Sequence, residues 1–268
     1  MMAPSPSLVG AVAVLDPKAM RATLAELDRV DARDSLVRYA PYPKQRLFHE
    51  MGADKRVRAL FGGNQSGKSV CGAAEMAFHL TGRYPRRGQV FYPAFCHDGS
   101  PHPLALQDAW PNGWTGHRFK RPIKAWASGL TALATRDNAQ TKLVGPPEQE
   151  HLWGTGTIPA DAIVGTPSRS RGTANALDSV TVRHASGGLS TLWFKSYEQG
   201  RRNWQGPTLD CMSFDEEPPS DIWAEGTTRC NAVHDARIWA TFTPLEGLSE
   251  VVTLLMAGRP LKALFNVD

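Results

Sequence analysis

Apolar residues recur at helical spacing at Met20, Leu24, Leu27 and Val30, with charged residues between them. This pattern predicts an amphipathic helix over residues 16–39, behind a tail at 1–15 rich in Pro, Ser and Ala. Ala40-Pro41-Tyr42-Pro43 interrupts it, because a residue before proline is pushed out of the helical region. Residues 44–51 read as a short helix. The mostly apolar run 57–61 ends in two glycines, which suits a buried strand. Residues 68–80 predict a helix able to bury Val70, Ala73, Ala74, Ala77 and Phe78. Residues 86–113 have little periodicity and several prolines, so an exposed loop or insertion is expected there.

Further along, Thr157-Ile158 and Ala162-Ile163-Val164 are strand-like pieces broken by Gly and Pro. Residues 180–183 and 190–196 predict two arms of a hairpin around Ala185-Ser186-Gly187-Gly188. Apolar strands are expected at 209–214 and 238–243, with a helical segment between them. Strands alternating with helices point to an α/β sheet that is at least partly parallel. The organisation this implies is a tail and helix at 1–40, a main domain at 41–250 and the start of a linker at 251–268.

Composition narrows the class. A chain of 268 residues with 41% hydrophobic and 21% charged residues has ample material for a packed core. No apolar stretch approaches the roughly 18 residues of a membrane span, so no membrane partner is expected. The opening MMAPSPSLVGAVAVLDP lacks the basic start of a secretory signal, and a cytoplasmic location is expected. Cys71, Cys96, Cys211 and Cys230 are too scattered for a zinc knuckle and too few for a disulfide scaffold. The eight histidines show no paired ligand spacing, so no zinc site is expected. Net charge +4 and pI near 8.9 permit a polyanionic partner without demonstrating one.

The strongest motif is Gly62-Gly63-Asn64-Gln65-Ser66-Gly67-Lys68-Ser69, which fits G-x-x-x-x-G-K-[ST] without a mismatch. A strand is expected before it and a helix after it, as a phosphate loop requires. The glycines let backbone N–H groups turn inward around nucleotide phosphates, and the helix start adds its positive dipole end. Lys68 would neutralise the β and γ phosphates, while the Ser69 hydroxyl would ligate Mg²⁺. Such a site needs a carboxylate for the metal shell and a group that activates water. The strand-like run before Asp215-Glu216-Glu217 supplies both: Asp215 for the metal and Glu216 for the water, with Glu217 as an acidic neighbour.

With both motifs in place, the sequence resembles the N-terminal ATPase of viral large terminase subunits, the motors that pump double-stranded DNA into proheads. The resemblance rests on Tyr42-Pro43-Lys44-Gln45, the loop at 62–69 and Trp153-Gly154-Thr155-Gly156-Thr157-Ile158-Pro159. It continues in Phe194-Lys195-Ser196-Tyr197-Glu198-Gln199-Gly200-Arg201-Arg202, Phe214-Asp215-Glu216-Glu217-Pro218-Pro219 and Thr241-Phe242-Thr243-Pro244. The resemblance implies a P-loop NTPase of RecA/ASCE-like type, with a mostly parallel central sheet flanked by helices. It further implies Tyr42 stacking on adenine, Gln45 bonding to it, and Thr241 to Thr243 as a coupling motif that senses the γ-phosphate. An arginine finger from an adjacent subunit is implied, with Arg201 and Arg202 as candidates and Arg169 and Arg171 behind them. Several relatives carry Arg-Gly eleven residues before the catalytic glutamate, where this chain has Gln205-Gly206.

The implied cofactors are ATP and Mg²⁺. The implied partners are double-stranded DNA, the portal and prohead, the small terminase subunit, and further copies of the chain in a ring, all in the host cytoplasm. An ATP-driven helicase or remodeller, and a non-catalytic nucleotide-binding assembly protein, stay open as alternatives. In relatives the Gly82–Pro85 stretch runs almost directly into a Trp-x-Gly-x-Arg-Phe pattern, which here (Trp114 to Phe119) follows 28 intervening residues. No second acidic constellation is visible, so no nuclease activity is expected in this chain. Arg83, Arg86, Arg87, Arg118, Lys120, Arg121 and Lys124 form the densest basic region, beside Phe119 and Trp126. That region is a candidate for DNA phosphates or an ordinary solvated surface.

Overall fold

The computed structural model describes residues 35–90, 108–245 and 247–257. The tail at 1–15, the expected helix up to residue 34, the middle of 86–113 and residues 258–268 lie outside the described residues. Seven strands make one sheet: β1 (Val57–Phe61), β4 (Lys124–Gly129), β5 (Ser168–Arg169), β6 (Leu177–Arg183), β7 (Leu189–Ser196), β8 (Cys211–Asp215) and β9 (Arg237–Phe242). Their order is β1-β9-β8-β4-β7-β6-β5. The five strands from β1 to β7 in that order are parallel, and β6 and β5 extend the sheet antiparallel. A two-stranded ribbon of β2 (Gln89–Val90) and β3 (Asp108–Trp110) stands apart from the sheet.

The helices are α1 (Pro43–Glu50), α2 (Lys68–Thr81), α3 (Ala132–Thr135), α4 (Thr141–Leu143), α5 (Ser220–Arg229) and α6 (Glu250–Met256), and a π-helical turn (Arg136–Gln140) joins α3 to α4. Successive strand residues point to opposite faces, and the two faces fill two cores. Ala125, Ala127, Cys211 and Trp239 face the core that contains α2. Trp126, Met212, Phe214, Ile238, Ala240 and Phe242 face the core that takes side chains from α5 and α6. Every residue of β8 and β9 is buried, the pattern of parallel strands covered on both sides. Gly72 lets α2 ride close to β9, since a Cβ there would meet Thr241 and Trp239 at 3.2 Å.

The structure departs from the sequence reading in four places. β4 occupies the middle of the sheet where no strand was expected. Residues 160–162 form a 3₁₀ turn, and Ile163 makes only an isolated bridge to Val182. Thr157 and Ile158 instead strap α4 through backbone bonds to Lys142 and Leu143. Packing also continues past the expected boundary at 250, because α6 buries Val251, Val252 and Met256.

The fourth departure is in residues 86–113, which are not simply exposed: Trp110 is 2% accessible and sits in the core. The two ends of that segment meet, with Trp114 N donating to Pro85 O at 3.0 Å and Phe119 N to the Tyr84 hydroxyl at 2.8 Å. Gly113 adopts a positive φ there, and a Cβ would come within 2.9 Å of Arg87 N. The segment therefore leaves and returns at one place. Among the described residues no helix is long and apolar enough to cross a membrane. Cys71, Cys211 and Cys230 are buried free thiols.

Candidate nucleotide site

Because β1, β9 and β8 are parallel, the segments that follow them emerge at the same edge of the sheet. The loop at 62–69 follows β1 and opens α2. Gly67 caps α2 at φ 76 and Gln65 takes φ 59, left-handed conformations that turn the loop back on itself. Gln45 in α1 is buried against this turn, donating through Nε2 to Gly67 O at 3.1 Å and accepting at Oε1 from Tyr42 N at 2.9 Å. Its amide therefore braces the loop. The Tyr42 ring beside it is 61% exposed, and its Cε2 comes within 3.8 Å of the Cβ position of Gly67.

Lys68 is buried and donates to Gly63 O at 2.7 Å and to Thr243 Oγ1 at 3.1 Å. Thr243 in turn donates to Gly62 O at 2.7 Å, with Asn64 Oδ1 at 3.2 Å. Two residues earlier, at the end of β9, the Thr241 hydroxyl donates to Asp215 Oδ1 at 3.0 Å. Thr241 and Thr243 thus connect the acidic strand end to the phosphate loop. Ser69 is half-buried in the first turn of α2. The Ser69 hydroxyl and the Asp215 carboxylate are hard oxygen donors of the kind magnesium takes. Among the described residues no group of three or more His, Cys, Asp or Glu could hold a metal alone. The donor set fits a Mg²⁺ that takes the rest of its shell from phosphate and water.

Glu216 follows Asp215 with φ 69, a strained conformation for a residue with a side chain. Its backbone is held by Glu216 N donating to Thr241 O at 3.1 Å and by the Tyr197 hydroxyl, 2.9 Å from Glu216 O and 3.1 Å from Asp215 O. Burial raises the Glu216 pKa, the Asp215 charge raises it further, and Lys68 and Lys142 oppose the shift. A carboxylate with a raised pKa beside a phosphate loop suits a proton acceptor. Glu217 is otherwise engaged: its Oε1 accepts from Ser249, the residue that caps α6. This distinguishes Glu217, tied to the cap of α6, from Glu216. A cleft of about 630 Å³ opens beside Glu216, lined by Leu130, Tyr197, Glu198, Pro219 and Leu245 among others.

Arg201 and Arg202 stand on a 3₁₀ turn anchored by Trp204, which is buried and stacks on Phe214. Arg201 pairs with Glu225 at 3.2 Å while its side chain stays 63% exposed, and Arg202 is exposed. The cations that bear most on Glu216 are Lys68 and Lys142 rather than these arginines. Arg169 pairs with Glu150 and lies 5.7 Å from the Trp153 ring, while Arg171 is exposed. Tyr197 and Lys142 were missed by sequence reasoning. Tyr197 lay inside a quoted motif, but nothing local signals that its hydroxyl reaches a strand 18 residues away.

A family model described as "Terminase large subunit, T4likevirus-type, N-terminal" matches residues 59–260. The "Terminase, large subunit" of Salmonella phage P22 is 43% identical over 223 residues, which are 81% of this chain and 42% of that protein. The chain thus spans less than half the length of that relative. The large terminase ATPase domain of Thermus phage P74-26 has a TM-score of 0.46 at 21% identity, covering 78% of this chain and 67% of that one. With the family model matching residues 59–260, which hold the phosphate loop, the acidic strand end and the two threonines, the chain belongs to the terminase large subunit family and represents its N-terminal part.

Proposed function

We propose that the chain is the ATP-hydrolysing motor part of a terminase large subunit, which drives double-stranded DNA into a viral prohead. The observation that carries this reading is the bridge from Asp215 through Thr241 and Thr243 to Lys68, which makes one site of two motifs. ATP lies with its phosphates over residues 62–69 and its adenine on Tyr42, while Gln45 keeps the loop in shape. Lys68 exchanges its protein oxygens for β and γ phosphate oxygens. Ser69 and Asp215 would hold Mg²⁺, which when bound would supply positive charge to the phosphates. Glu216 takes the proton of the attacking water. Loss of the γ-phosphate frees Thr243 and Lys68 to re-form their mutual bond, which supports the coupling role of Thr241 and Thr243.

Arg201 and Arg202 are exposed at the nucleotide end of β7, which supports a finger given in trans to a neighbouring copy in a ring. The portal, the prohead and the small terminase subunit are the other partners, and the motor works in the host cytoplasm. Turnover of ATP with magnesium, measured with and without long double-stranded DNA and proheads, tests the reading. Specific activity should rise with protein concentration as copies associate. Lys68→Ala should lower turnover about a thousandfold. Near-normal turnover in a folded Lys68→Ala protein would overturn the site, and ATP-driven strand separation would favour a helicase instead.

A further inference from the structure

The start of α1 lies against the turn of the phosphate loop. Tyr42 stands at the N-cap of this helix, is 61% exposed, and brings Cε2 within 3.8 Å of the Cβ position of Gly67. Gln45, three residues on, is only 5% exposed, and the protein engages both ends of its amide. Oε1 accepts from Tyr42 N at 2.9 Å, the return bond of a helix capping box. Nε2 donates to Gly67 O at 3.1 Å and lies 3.5 Å from Ser66 O. An N–H on one side and carbonyls on the other fix which way the amide faces.

The contact between Gln45 and the loop is close. A Cβ at Gly67 would meet Gln45 Nε2 at 2.8 Å, so the amide rests on a residue without a side chain. The same Gly67 carbonyl accepts from Cys71 N at 3.0 Å, a backbone bond that opens α2 beside Lys68. Gln45 therefore fixes the carbonyl at which the phosphate loop turns into a helix. Choosing adenine over guanine makes a different demand. Adenine offers an amino donor where guanine offers a carbonyl acceptor, and a glutamine reads adenine by pairing both amide ends with that edge. The Gln45 amide is instead buried with an N–H at one end and carbonyls at the other. An exposed tyrosine ring makes no such choice, since every base has a π face to stack on it.

We propose that the site takes purine nucleoside triphosphates without choosing between adenine and guanine, and that Gln45 is a positioning residue for the phosphate loop. The inference rests on the ATPase reading and adds its substrate class. The base is held by stacking on Tyr42, which favours the larger purines over pyrimidines. Recognition beyond that stacking falls on the triphosphate, through the loop that Gln45 holds in shape.

The test compares magnesium-dependent turnover of ATP, GTP and CTP by the chain, together with displacement of a fluorescent ADP analogue by ADP and by GDP. In both measurements the two purines should agree within about tenfold, whereas a site built to hydrogen-bond one base rejects the other by about 10⁴-fold. CTP should be poorer, through a higher KM. Tyr42→Ala should raise KM for ATP and GTP alike by about tenfold. Gln45→Glu keeps the acceptor for Tyr42 N and loses the donor to Gly67 O. It should lower kcat for both purines by the same factor, about tenfold for one lost loop bond, and leave the ATP to GTP ratio where it was. Gln45→Ala should do the same. A preference for ATP over GTP above about tenfold in the wild-type chain would overturn the inference while leaving the ATPase reading intact. So would an ATP to GTP ratio that changes in both Gln45 variants, or CTP turnover that matches the purines. Turnover of none of the triphosphates would overturn the ATPase reading instead, with displacement by ADP and GDP still deciding the base.

Discussion

Two glutamates, Glu75 and Glu216, have pKa values shifted in opposite directions. Glu75 in α2 is completely buried and meets Arg58 at 2.5 Å, His49 at 2.8 Å and His79 at 3.3 Å. Burial alone would raise its pKa, yet Arg58 and the two histidines hold it well below the ordinary range. Glu216 is only partly buried, sits beside Asp215, and is raised. The difference lies in what faces each carboxylate. Glu75 has cations at contact distance and stays an anion that ties α1, β1 and α2 together behind the loop. Glu216 has an anion for a neighbour, and its cations oppose the shift without reversing it, which leaves it able to accept a proton. A buried charge is structural when its partners are complete and chemical when they are not.

Exchanging both carboxylates for amides should break this symmetry most strongly. Glu216→Gln should keep nucleotide bound and lower phosphate release by about a thousandfold, with unfolding unchanged, since general base catalysis is worth about that much. Glu75→Gln should do the reverse. It leaves Arg58 and His49 uncompensated in the core and should cost about 3–5 kcal/mol by chemical denaturation. Equal stability of Glu75→Gln and wild type would show that the buried anion is dispensable.

The pH dependence sharpens the contrast. Burial works against a charged His49, but the Cys71 sulfur at 3.4 Å and Glu75 outweigh it and raise the pKa to about 9. A group raised on folding stabilises the protein fully below its unfolded pKa. That contribution is then lost as pH rises through the folded value. Stability should therefore fall between about pH 6.5 and 9, by on the order of 3 kcal/mol for His49. His49→Gln should flatten that fall in a denaturation series. The acid limb of turnover should follow Glu216 instead. The smallest effect is expected for Tyr197→Phe. Losing its hydroxyl should cost about 1 kcal/mol of stability, and turnover should drop with little change in KM, because the strained Glu216 backbone loses its clasp. A KM change at constant kcat would place Tyr197 in binding instead.

The phosphate loop was legible because its pattern is local: glycines, Lys68 and Ser69 stand within eight positions at a strand-to-helix turn. The same holds for Asp215 and Glu216 at the end of an apolar run. β4 was not legible, since Lys124-Ala125-Trp126-Ala127-Ser128-Gly129 has weak strand propensity and becomes a strand only by pairing with β7 and β8. The bonds of the Gln45 amide to the loop carbonyl and to Tyr42 were not legible either, because they join α1 to a turn 22 residues further along. The basic stretch looked continuous, and only folding sent Arg121 to Asp210 and Asp235 while turning Arg83, Arg86, Arg87 and Arg118 onto one cleft.

The amino-acid sequence by itself determined the class of fold and the identity of the phosphate loop and its acidic partner. Those depend on backbone geometry and charge within a few residues. Only the tertiary structure decided that the Glu217 side chain is engaged, because Ser249 reaches it from 32 positions away. It alone joined Thr243 to Lys68 across 175 positions, and Arg58 and His49 to Glu75. A side chain's charge state depends on the groups that surround it, and in this α/β sheet those groups come from strands and helices far apart along the chain.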